Sequence, residues 1–70
     1  MSTTKQILEF IIKEKARGNT FQELNIQMRI MMKGINVKSV LNGEVPDDLS
    51  LINRLQEIAK EFDVDLSKMG

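Results

Sequence analysis

The sequence predicts an all-α fold: a compact four-helix domain with a short third helix, forming one unit over residues 1–70. Three observations carry this. Apolar residues recur at spacings of three and four along most of the chain, the period of a helix with one buried face. Gly18, Gly34, Gly43 and Pro46 divide the chain into segments of helical length. No segment alternates apolar and polar residues for long, and the only aromatic residues are three phenylalanines, so strands have no pattern to form from.

The first helix is predicted from Thr4 to Arg17. Thr3 and Gln6 fit a capping box, in which each side chain satisfies an orphan backbone N–H. Ile7, Leu8, Ile11 and Ile12 form its apolar stripe, with Phe10 at the margin. Lys13, Lys15 and Arg17 suit the negative end of the helix dipole, and Gly18 is the expected left-handed cap. The second helix is predicted to begin at Thr20, with Glu23 completing another box. Phe21, Leu24, Met28 and Met31 are expected to make its buried face, widened by Ile26, Ile30 and Met32. A helix apolar over so much of its circumference is expected to be the central one, stopping at Gly34.

Asn36 is expected to cap a short third helix carrying Val37, Val40 and Leu41, ended by Asn42-Gly43. Val45-Pro46-Asp47-Asp48 then reads as a turn opening the fourth helix, both aspartates facing its positive dipole end. That helix is expected to bury Leu51, Leu55, Ile58 and Phe62, assisted by Ile52 and Ala59. Asp63-Val64-Asp65 breaks it, Asp65 reads as a cap, and Leu66 is expected to cover the core from one last turn.

Composition narrows the function. A chain this short buries little core and gains from helix packing or self-association, so a homodimer or a protein partner is expected. Without cysteine or histidine it has neither disulfides nor the usual zinc ligands, and no cofactor is expected. Neither a leader pattern nor an apolar run of membrane-spanning length is present, and a cytoplasmic protein without membrane association is expected. Net charge is zero but polarised. Residues 1–38 hold seven basic and three acidic side chains, and residues 39–70 hold three basic and seven acidic ones.

Catalytic chemistry has few groups to use. No base stands in a recognisable pattern beside a serine or threonine, and the adjacent pair Asp47-Asp48 is explained by helix capping, so the chain reads as no enzyme. Asp63-x-Asp65-x-Ser67 opens like a calcium loop, but Lys68 stands where that loop needs glycine. Met28, Met31 and Met32 cluster as core residues or as an adaptable binding surface, with Met32 the best interface candidate.

The group around the third helix is the most suggestive for nucleic acid. Lys13, Lys15, Arg17, Arg29, Lys33 and Lys38 are cations able to contact phosphates, and Asn36, Ser39 and Asn42 are small polar groups able to approach base edges. The segment Val37-Lys38-Ser39-Val40-Leu41-Asn42-Gly43-Glu44-Val45-Pro46, the helix from Leu55 through Ile58-Ala59-Lys60 to Leu66, and the start Thr20-Phe21-Gln22-Glu23-Leu24 together resemble the lambda-repressor-like helix–turn–helix family. That resemblance implies an HTH-like fold and a small DNA-binding transcriptional regulator of bacterial or phage type, acting on double-stranded DNA as a dimer. The alternative is a protein-binding regulator, an inhibitor or adaptor, using Met32 and the acidic residues Asp47, Asp48, Glu57 and Glu61. A pI of 6.2 favours that alternative, since nucleic-acid binders are usually basic. The two differ in geometry: cations gathered on one surface favour DNA, and scattered ones favour protein.

Overall fold

In a computed structural model, which describes residues 3–69, the chain is all-helical. The elements are α1 (Thr3–Ala16), α2 (Thr20–Met31), α3 (Val37–Leu41), α4 (Leu49–Glu61) and a 3₁₀ turn (Leu66–Lys68). The four helices, the short third one included, are those expected.

The core is built around α1, not α2. Thr4, Ile7, Leu8, Ile11, Ile12 and Ala16 are all buried, a set that covers roughly half the helix circumference at 3.6 residues per turn. α2, α3, α4 and the 3₁₀ turn each pack against it. Ile26 and Ile30 come from α2, Ile35 from the following loop, Val37 and Val40 from α3, and Leu55, Ile58, Ala59 and Phe62 from the end of the fold around α4. Ile52 and Leu66 pack at the edge as expected, whereas Leu51, expected to be buried, is only partly so because it lies in the first turn of α4.

α2 reverses the expectation. Phe21, Leu24, Met28, Met31 and Met32, expected as its core face and rim, are 81, 58, 61, 48 and 86% exposed. Only Ile26 and Ile30 are buried. The helix carries two apolar faces on opposite sides, and only one can meet α1. Ile26 and Ile30 pack into the core beside α1, and polar contacts flank that face. The Arg29 guanidinium lies 4.7 Å from the centre of the Phe62 ring. Lys33 pairs with Glu61 at 2.5 Å, and Arg54 donates to the Lys33 carbonyl. All of them tie that side of α2 to α4 and the segment after it.

The helix starts follow one rule with one exception. Asn19, Asn36, Asp48 and Asp65 each stand just before a helical segment and accept from a backbone N–H two or three residues on. Asn19, bonded to the Gln22 N–H at 3.1 Å, therefore replaces Thr20 as the cap of α2. The exception is α1, which already includes Thr3, so Thr3 is not its cap. The Asp47 carboxylate reaches back across the fold instead. It accepts from the Thr3 N–H at 3.1 Å, the Thr4 N–H at 3.0 Å and the Thr4 hydroxyl at 2.9 Å. Asp47 thus serves α1, while Asp48 alone caps α4 through the Ser50 N–H at 2.8 Å. At the other end of α1 the chain turns left-handed one residue earlier than expected, with φ of 52° at Arg17 followed by 82° at Gly18.

Two expected outcomes follow in urea denaturation. Asp47→Ala should cost about 1–2 kcal/mol, a full cap's worth, because three donors lose their acceptor. Ile30→Ala should cost about 2–5 kcal/mol, whereas Met28→Ala at low protein concentration should stay within about 0.5 kcal/mol.

Candidate protein-interaction surface

The stripe left outside by α2 is the most distinctive surface of the molecule. Phe21, Leu24, Met28 and Met31 follow one another at spacings of three, four and three, so they line one side of the helix, with Met32 at its margin. Isolated exposed apolar residues are ordinary on a protein surface, but five on one helix face form a contiguous patch. Leu49, 77% exposed in the first turn of α4, stands alone by comparison. Around the stripe lie Thr20, Asn25 and Gln27, all uncharged. Methionine and phenylalanine over a charge-poor border is the composition of an interface core.

The cations do not form a comparable face. Lys13 sits 4.0 Å from Glu9, Lys33 is paired with Glu61, and Arg29 covers Phe62. Lys15 and Arg17 line a surface depression together with Glu14, Asp63 and Asp65. Lys5 and Lys13 share another with Glu9 and Glu23. Lys38 is exposed on α3. Carboxylates are thus interleaved with the basic side chains around the molecule.

The short α3 places the polar candidates in its own caps. Two of its five side chains, Val37 and Val40, are buried. Asn36 accepts from the Ser39 N–H at 3.2 Å, and the Asn42 side-chain amide donates to Glu44 at 3.3 Å. The predicted acidic surface is divided in the same way. Asp47 and Asp48 are helix caps, Glu61 is ion-paired, and Glu57 remains exposed on α4. Of the expected interface residues only Met32 belongs to the exposed stripe. Phe21, Leu24, Met28 and Met31 are expected in the core from their three-four-three spacing, which marks one helix face without saying which way it turns.

The Asp65 carboxylate is held by its own turn. The Ser67 hydroxyl and N–H both donate to Asp65 Oδ1, at 2.7 and 3.0 Å. These bonds, the hydroxyl one foremost, with help from Lys68, hold the Asp65 carboxyl below the usual carboxylate range against a small desolvation effect. Among the described residues no three potential metal-binding side chains converge, and no helix is long and apolar enough to cross a membrane.

Comparison with protein-family models, curated proteins and solved structures finds no match to this chain.

Because the folded-state value of Asp65 is depressed, its contribution to stability is complete above the ordinary carboxylate pKa. It disappears as pH falls through the lowered value. In an NMR pH titration of the Asp65 carboxyl carbon, Ser67→Ala should move the midpoint upward.

Proposed function

We propose that this protein is a non-enzymatic protein-binding module whose docking face is the outer side of α2. The observation that carries this reading is the exposed stripe of Phe21, Leu24, Met28, Met31 and Met32 on a well-formed helix. A small domain leaves about this much contiguous apolar surface in water mainly where another surface covers it. Methionine adds to this, because its flexible, polarisable side chain adapts to the shape of a partner. Zero net charge and interleaved cations and carboxylates also support a protein partner over a polyanion.

The helix–turn–helix reading as a DNA-binding regulator draws less support. Its base-approaching candidate Asn36 caps α3, the Asn42 amide is bonded to Glu44, and its phosphate-contacting candidates are distributed among carboxylates.

Two experiments test the proposal. A photoactivatable residue at Leu24 should form protein adducts in cells, while the same residue at Gln56, exposed on the outside of α4, should form none. A mixed-sequence DNA duplex titrated with the protein at two salt concentrations should show no anisotropy change. Binding that weakens steeply with salt, together with absent adducts at Leu24, would replace this reading with the DNA-binding one.

A further inference from the structure

We propose that the occupant of the α2 stripe is a second copy of this chain, packed antiparallel about a two-fold axis that passes near residue 26. The inference rests on the reading of α2 as the docking face and adds what docks there.

The first argument is the symmetry of the stripe. Phe21, Leu24, Met28 and Met31 are placed symmetrically about position 26, so reversing the helix reproduces the same spacing. An antiparallel copy therefore sets Phe21 against the partner's Met31 and Leu24 against the partner's Met28. The second two layers repeat the first two by symmetry, as an isologous interface requires. The spacing is also that of successive a and d positions in a coiled-coil seam, which face one another as a against d when helices run antiparallel. Each end layer then joins a phenylalanine ring to a methionine sulfur, a favourable pairing.

The second argument is charge. In an antiparallel pair each border of the stripe meets the same border of the other copy. One border carries Asn25 and Met32, the other Thr20 and Gln27, so no like charges are brought together. The nearest charged residues of α2 lie outside the seam. Arg29 is turned onto the Phe62 ring, and Glu23 lines a depression with Lys5 and Lys13. A membrane-surface helix would instead be expected to carry lysine and arginine along its polar borders.

The third argument is area. Five side chains this exposed offer on the order of 600 Å² of apolar surface per copy, so a pair buries at most about 1,200 Å², the lower end for a stable specific interface. The dimer should accordingly be reversible, with a dissociation constant on the order of micromolar.

Sedimentation equilibrium of the full chain, from low micromolar to millimolar concentration, should show a monomer–dimer equilibrium. Met28→Glu should weaken it by at least ~100-fold, because it buries unpaired charge at the seam. Met28 is exposed in the single chain, so this variant should keep its helical circular dichroism and its monomer unfolding midpoint. Orientation is read by oxidation. The double variant Phe21→Cys, Met31→Cys should form covalent dimers. Phe21→Cys alone should not, since the two copies of position 21 lie about 15 Å apart along an antiparallel pair. Cross-linking by Phe21→Cys alone would overturn the antiparallel arrangement. A dimer unaffected by Met28→Glu would overturn the surface. A chain that stays monomeric throughout would overturn the second copy as occupant, as would a monomer that instead sediments with anionic vesicles. Leu24 adducts to a different protein would then leave the docking face standing, and absence of any adduct would remove both readings.

Discussion

Everything in this fold depends on surrounding α1 with apolar side chains. Leu8 and Ile11 have no exposed surface, and the remaining elements are arranged so that each contributes a few aliphatic groups to them. A chain of this length has little other apolar area to bury, so α1 must be covered from several sides by short elements that would not be stable alone. That requirement explains why the connections are tight and why nearly every helical segment starts with an asparagine or aspartate bonded to its own first turn. Where the core is small, caps worth about 1 kcal/mol each are a large fraction of net stability.

The same economy shapes the surface. Asn36, Asp47 and Asp48 could each be read as ligands for a partner, yet their hydrogen bonds are used in shaping the backbone, and the Asn42 amide is bonded to the Glu44 side chain. Lys33 and Arg29 orient α2 against α4 and Phe62. Against that background the contiguous exposed feature is the apolar stripe of α2. The side of α2 facing away from the core has the residue types of a contact surface and a border without charge. Function and fold therefore meet in the rotational setting of one helix: contacts that turn Ile26 and Ile30 inward present the methionines outward.

How much of this could be read in the sequence differs element by element. α1, α3 and α4 each have a single apolar face, so periodicity placed their buried residues, and Asp65 and Leu66 behave as their positions suggested. α2 was misread because both of its faces are apolar. Counting hydrophobic residues favours the wider Phe21–Met31 side, while the narrower Ile26–Ile30 side is the one that joins the core around α1. The same limit applied to Asp47. Local capping rules look a few residues ahead, and its partner Thr4 is 43 residues away. The proposed docking face was legible only through Met32. Its other members were visible as a stripe, but nothing local says whether a stripe turns toward the core or away from it.

The long reach of Asp47 also orders events in time. During synthesis α1 leaves the ribosome before the residues that complete its start. Its leading amides can find their carboxylate only after α2, α3 and the turn at Pro46 have followed. Until then the central helix lacks its terminal acceptor and the α4 side chains Leu55, Ile58 and Ala59, and its start is open to fraying. Residues 3 and 47 therefore close a loop around the first three helices. Of these four helices, the one that precedes the others is among the last to be finished.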